Sequence, residues 1–404
     1  MYQVLTGIRV LGLEQFLPGP NCSMILADAG AEVIKIEQPE IGDPGRTIPP
    51  FAEDEGGEKY SGLFLRHNRN KKSLTLNLQK PAGKEIFMEL VKVSDVIVEN
   101  FAPGAMERLG LGYDMISKVN PRIVYCAISG FGRLDTYRGP YADRGAFDPV
   151  LQALGGFMTL QTDEEGRPAY AGIPITDLVA PIIGAYGIAL SLYKRTITGL
   201  GDFVDVAMYD AMVALNESPV MVYSLTGEVQ KAGGVNPYMG PVGPYKCTDG
   251  YVAFILPTND MWKRLCKAIK REDLIDHPKV KGHLDRVQNF FNFLRPMIED
   301  WMKDKTMDEV VGILDAHKVP VGKVQAADDI VKCPQVKVRG MIYDLVSSHG
   351  KRIQAAGSPL KLGSMEAKKS TFPPLLGQHT EEILKEVLCY GKGKVLELRK
   401  EKVI

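Results

Sequence analysis

Short aliphatic runs alternate along this chain with longer stretches whose apolar positions recur at helical spacing, and the alternation starts within the first ten residues. Residues 7–13 (GIRVLGL) and 32–37 (EVIKIE) read as strands around 22–30 (CSMILADAG), which has helical character and a glycine stop. That is a βαβ unit. The pattern recurs in strand-like 73–78, helical 81–93 (PAGKEIFMELVKV), strand-like 95–99 (DVIVE), a helical stretch including 113–119, and strand-like 122–128 (RIVYCAI). Such alternation predicts an α/β fold with a mostly parallel sheet covered by helices on both faces. Ligands of these sheets collect beyond the carboxyl ends of the strands. The loops 14–20, 38–46, 100–104 and 129–133 are therefore where a site is expected. None carries a G-x-G-x-x-G or Walker pattern, so nothing supports a nicotinamide or nucleoside triphosphate site.

Further along, residues 178–193 form a sixteen-residue uncharged run. It falls short of the roughly 20 apolar residues of a membrane span and contains Pro181, which predicts a buried helix. A strand over 201–208 and a helix over 209–225 follow. Composition then changes: 233–243 (GGVNPYMGPVG) is rich in Gly and Pro, which suits a binding loop or a domain joint. A turn at Asp249-Gly250 leads to strand-like 251–255, and helices are expected over 261–269, 289–304 and 306–317. The last stretch adds a strand over 341–346 and a helix over 380–389. The reading is a large domain over 1–215, a smaller α+β domain over 216–330, and a C-terminal part, 331–404, returning to the first.

Composition excludes more than it selects. Lys plus Arg equals Asp plus Glu at 49 each, so no global field draws the chain to nucleic acid or anionic lipid. The six cysteines stand singly, as reduced thiols do, and no Cys, His and carboxylate cluster has metal-ligand spacing. Residues 1–7 lack the pattern of a signal peptide, and a cytoplasmic protein is expected.

Within this frame the sharpest chemical feature is Asp177, in Ile173-Pro174-Ile175-Thr176-Asp177 at the mouth of the uncharged run. A carboxylate there is either a helix N-cap, as Thr176 also would be, or a nucleophile kept short of water.

Several motifs occur in order: Pro18-Gly19-Pro20, residues 30–37 (GAEVIKIE), Gly42-Asp43, Asn70-Lys71-Lys72-Ser73, Val98-Glu99-Asn100-Phe101 with Pro103-Gly104, Arg108-Leu109-Gly110, Phe147-Asp148 with Gln152-Ala153, and Thr176-Asp177. Together they resemble the CaiB/BaiF family, the class III coenzyme A transferases. The resemblance implies a Rossmann-like large domain, a smaller domain inserted before the C-terminal part, and a homodimer of interlocked ring-like subunits. It implies that Asp177 accepts the acyl group, that an acyl-CoA and a small carboxylic acid are the substrates, and that no cofactor is permanently bound. It places CoA recognition at Leu17, Pro18, Gln38, Leu76, Gln79, Asn100, Phe101, Ala102, Arg108, Gly145, Ala146, Phe147 and Asp148. A covering loop would involve Met239, Gly240 and Gly243. Position 38 is often arginine in the family, and Gln38 lacks that charge; Lys35, Arg46, Lys71 and Lys72 are the cations at hand to replace it.

Two other readings stay open. An α-methylacyl-CoA racemase would use a histidine in a Gly-His-Asp motif, where this chain has Ala146-Phe147-Asp148. A non-catalytic subunit of a heteromeric transferase would have no use for Asp177.

Overall fold

A computed structural model describes residues 3–230, 232, 240–364 and 370–404. The chain divides into two compact units, the first comprising Met1–Thr159, Asp163–Gln230 and Gly340–Ile404, the second Leu160–Thr162 and Lys231–Arg339.

The first unit is built on six parallel strands, β1 (Arg9–Leu13), β2 (Glu32–Glu37), β3 (Lys71–Thr75), β4 (Val96–Glu99), β5 (Val124–Ser129) and β6 (Asp202–Ala207). Their order is β3-β2-β1-β4-β5-β6. Alternate residues of each strand feed opposite cores, as a sheet buried on both faces requires. Val10, Val33, Val96 and Val124 face α1 (Pro18–Asp28) and other helices of one layer. Leu11, Ile34, Leu74 and Ile97 face the other layer, which holds α2 (Pro81–Lys92) and α3 (Tyr113–Val119). The strand order reverses between β1 and β4, and the crevice beyond their carboxyl ends is where such folds receive ligands.

On the first layer lie α4 (Asp148–Leu154), the long α5 (Ile175–Thr198) and α6 (Met208–Leu215). The predicted helix over 209–225 is interrupted at Asn216, whose backbone turns out of the helical range (φ −93°, ψ 27°) while its side-chain amide donates to the Gly155 carbonyl at 2.9 Å. A separate helix, Glu217–Thr226, follows. The C-terminal segment adds α7 (Thr380–Glu386) and α8 (Lys392–Lys400) to the second layer, packing Ile383, Leu384, Val395 and Leu398 into its core. With only Val395 and Leu398 buried, α8 carries too sparse an apolar pattern to be read from sequence.

The second unit has a three-stranded antiparallel sheet, β7 (Val242–Cys247), β8 (Gly250–Ile255) and β9 (Val321–Lys323), in the order β9-β8-β7. Tyr245, Val252 and Phe254 pack there against Trp262, Leu265, Phe290, Leu294, Ile298 and Leu314. The units join at 230/231 and 339/340, whereas the sequence reading placed its boundaries at 215/216 and 330/331. Helix Glu217–Thr226 lies in the first unit, and the composition change begins only after it.

Candidate functional site

Helix α5 runs antiparallel to the strands. Near its start Gly184 lies against Cys22, Cys126 and Ile128, and near its end the Arg195 guanidinium bonds Asp95 and the Arg122 carbonyl, at the amino ends of β4 and β5. Helix α1, entered from the carboxyl end of β1, runs the same way. Both N-termini therefore lie at the ligand edge of the sheet. A side chain at position 184 would hold the helices apart, since a Cβ there would stand 3.2 Å from the Cys22 sulfur.

Asp177 is the third residue of α5. Neither it nor Thr176 is the cap predicted from sequence; the flanking position is Pro174, which has no side-chain hydrogen bond to give. The cap comes instead from Asp148, whose Oδ1 accepts from the Thr176 N–H and hydroxyl, each at 2.7 Å. The other oxygen of Asp148 accepts from Gln152 at 2.8 Å, and Gln152 in turn donates to the Ile173 carbonyl and accepts from the Ala171 N–H. One buried carboxylate and one buried amide thus stitch residues 171–176 into place and leave Asp177 unburdened.

Among the described residues no hydrogen bond or ion pair is made by the Asp177 carboxylate. It is half-buried, and its pKa is pushed up to about 7, first by loss of water and then by the negative charge of Asp148. The phenol of Tyr170 is pushed up to about 12 by burial and then by Asp148, which places its ring in the same neighbourhood. Pro181 contributes from below: it has no N–H, so the α-helical bond to the Asp177 carbonyl cannot form.

The residues tied to CoA by resemblance fall into distinct groups. Leu17, Pro18 and Leu76 are buried, and the Leu76 side chain belongs to the core. Gln38 is half-buried, with its carbonyl accepting from the Gly42 N–H. Gln79, Ala102, Gly145 and Phe147 are exposed, and Ala146 packs against Gly130. Phe101 packs on the core and gives its N–H to Glu99. The Asn100 amide grips both sides of the Gln15 peptide, accepting from its N–H and donating to its carbonyl, each at 2.9 Å. Arg108, in the short helix Ala105–Leu109, is exposed; among the described residues its guanidinium makes one hydrogen bond, at 3.4 Å to the Pro103 carbonyl, and no ion pair, which leaves its charge available. Asp148 is fully engaged within the protein.

None of the four cations named as substitutes for an arginine at position 38 is free. Lys35 and Lys71 are buried in ion pairs with Asp43 and Glu14, Arg46 holds Glu37 through two bonds, and Lys72 pairs with Glu32 and Glu382. Buried carboxylates claim three of these cations, and two partly exposed ones claim Lys72. Of the covering-loop residues, Met239 lies outside the described residues, Gly240 precedes a cis Gly240-Pro241 peptide, and Gly243 sits in β7 opposite Phe254.

Sequence reasoning missed Tyr170 and gave the buried Asp43 only as part of a motif. A lone tyrosine in a polar loop carries no periodic signal, whereas Gly42-Asp43 ahead of Pro44 is a turn pattern that points to a side chain bonding its own backbone, as Asp43 does to the Gly45 N–H.

Residues 5–380 match the family model described as CoA-transferase family III. The chain belongs to that family. Among its relatives is a succinyl-CoA:mesaconate CoA-transferase of Haloarcula hispanica, 36% identical over 385 residues, covering 95% of this chain and 96% of the relative. A succinyl-CoA:glutarate CoA-transferase of Homo sapiens is 34% identical over 397 residues, covering 98% and 88%. A solved CaiB/BaiF family protein of Brucella suis superposes with a TM-score of 0.83 at 30% identity, covering 96% of this chain and all of that one. The family III transferase fold explains why the Rossmann-type sheet order carries no dinucleotide fingerprint. As a family III enzyme, the chain moves coenzyme A between an acyl-CoA thioester, which is a substrate, and a carboxylic acid.

Proposed function

We propose that the enzyme transfers CoA through Asp177 as the acyl carrier, with succinyl-CoA as donor and a dicarboxylic acid as acceptor. The observation that carries this reading is a carboxylate at a helix N-terminus with no hydrogen-bond or ion-pair partner among the described residues, on a backbone fixed by Asp148. Acid–base exchange at Cα, as in a racemase, finds no support at position 147, where an exposed phenyl ring carries no proton.

Asp177 attacks the thioester carbonyl, the C–S bond breaks, and a mixed anhydride and CoA thiolate result. The thiolate attacks the aspartyl carbonyl and expels the donor acid, leaving CoA as an aspartyl thioester. The acceptor carboxylate then attacks that thioester to form a second anhydride and release the thiolate, which takes the acceptor acyl group and frees Asp177. Every step exchanges one acyl bond for another, and water is the competitor to be excluded. A carboxylate poised near neutrality is more basic, hence a better nucleophile, than an ordinary aspartate. Arg108 supplies a guanidinium for a CoA phosphate.

The choice of substrates rests on the relatives' names, which pair succinyl-CoA with mesaconate or glutarate, both dicarboxylates. Hydroxylamine added to enzyme turning over succinyl-CoA should leave a hydroxamate at Asp177, read by peptide mass spectrometry. An enzyme that turns over without that mark refutes the acyl-carrier role.

The same reading includes a homodimer. Ile182, Tyr186, Leu190, Tyr193 and Ile197 leave an apolar stripe exposed along α5, which is long and apolar enough to cross a membrane by length and composition alone. A second copy of the chain covers such a face without a membrane. Light scattering in detergent-free buffer should give the mass of two chains; the mass of one overturns it.

A further inference from the structure

Glu14, Lys35, Asp43 and Lys71 form a cluster of charges whose side chains are at most 1% exposed. Lys35 pairs with Asp43 at 2.8 Å, and Lys71 donates to Glu14 at 2.7 Å and to the Pro20 carbonyl at 2.8 Å. Buried pairs of this kind rarely add stability over apolar residues of similar volume, so stability alone does not account for this cluster.

Their bonds converge on the short connection between β1 and α1. Lys35 donates to the Glu14 carbonyl at 2.9 Å, the Asn100 amide holds both sides of Gln15, and Asp43 accepts from the Phe16 N–H at 3.0 Å. Phe16 sits at φ 58°, a left-handed conformation that a bulky L-residue adopts only when its surroundings impose it. The next residue, Leu17, is buried, and among the described residues its N–H has no hydrogen-bond partner. As the N-cap residue of α1, Leu17 keeps an N–H that the helix itself does not use.

This connection and the Asp177 carboxylate lie at the same edge of the sheet, beyond the carboxyl ends of the strands. Cys22 and Gly184 meet at the same level of the parallel α1 and α5. Counting back at about 1.5 Å per residue, Asp177 stands about one helical turn beyond the start of α1, level with residues 15–17.

We propose that the Lys35–Asp43 pair is a positioning device for transfer: by holding Phe16 left-handed, it presents the Leu17 N–H to the acyl group carried on Asp177. The proposal rests on Asp177 being the acyl carrier. An N–H so placed donates to the oxyanion of each tetrahedral intermediate, and its value depends on its being held before the charge develops.

Two substitutions test it in the full-length enzyme, with succinyl-CoA and glutarate as substrates and hydroxylamine labelling of Asp177 in parallel. Asp43→Asn keeps the side-chain volume and removes the charge. It should lower kcat by about tenfold to a hundredfold, less than loss of a whole oxyanion donor, with KM for succinyl-CoA within about threefold. Combining it with Phe16→Gly should restore kcat several-fold, because glycine takes the left-handed conformation without restraint; a purely structural role for Asp43 predicts no such rescue. If Asp43→Asn does not fold, Phe16→Val at this partly exposed position serves alone: a β-branched residue resists positive φ, so kcat should fall in a protein that still folds, with its melting temperature lowered only modestly. Wild-type kcat in Asp43→Asn or in Phe16→Val, or a loss in the former without rescue, overturns the positioning role while a label at Asp177 leaves the carrier role standing. Turnover by the unsubstituted enzyme without the label overturns both.

Discussion

Replacing Asp177 by asparagine should lower exchange by about 10⁴-fold or more, the scale on which enzymes lose rate when a covalent nucleophile is removed. The amide has nearly the same volume, and the carboxylate it replaces makes no hydrogen bond among the described residues, so the fold has little to lose. The variant should in fact be the more stable protein above neutrality. Burial, and then Asp148, raise the Asp177 pKa from 3.8 to about 7, so the folded chain holds that proton more tightly than the unfolded chain does. Its contribution to stability is complete below about pH 4 and is lost as the pH rises through about 7. At pH 8 the ionised aspartate opposes folding by an amount on the order of 2 kcal/mol once its partial exposure is discounted, and asparagine removes that penalty. Thermal melts should separate the two proteins at pH 8 and superimpose near pH 4. A variant that retains exchange, or one that melts well below the parent at pH 8, contradicts this account.

The second large effect is expected at Asp148, which never touches substrate in the scheme above. Asp148→Ala leaves the Thr176 N–H, the Thr176 hydroxyl and the Gln152 amide without their acceptor, a loss of about 2–4 kcal/mol in stability. It also frees the first turn of α5, and a displacement of about 1 Å in a reacting group is enough to lower kcat by about a hundredfold. Asp148→Asn separates geometry from charge. The asparagine carbonyl can still accept from Thr176, but the negative charge beside Asp177 is gone. Activity of the unsubstituted enzyme should fall below about pH 7 as Asp177 takes up its proton, and in Asp148→Asn this acid limb should move to lower pH. It should stop short of the ordinary aspartate value, because burial is the larger of the two causes and persists. An acid limb that stays in place in the variant would show that Asp148 has no electrostatic hold on the nucleophile.

Both predictions depend on a pairing that no reading of the chain in order supplies. Asp148 and Thr176 are 28 residues apart and meet because α4 and the head of α5 close over the same end of the sheet. From sequence, Asp177 before an apolar run suggested a cap supplied by the run's own first residues. The structure transfers the cap to a different helix, and that transfer is what leaves the Asp177 carboxylate without a capping role.

The βαβ alternation, the strands over 32–37 and 95–99, and the helices over 81–93 and 113–119 were all legible in the sequence. Each follows from local periodicity and from turn residues acting on their neighbours, which a linear text preserves. The family motifs were legible for the same reason, being short and in order. The sequence by itself therefore determined an α/β transferase of family III and the residue most worth testing. Tertiary structure alone decided the environment of that residue: which carboxylate orders the helix beneath it, which cations are already spoken for, and which loop is bent into a left-handed turn at the same edge of the sheet. Hydrogen-bond partners are chosen by proximity in space, as Glu14 and Lys71 choose each other across 57 residues, and periodicity reports only which way a side chain faces.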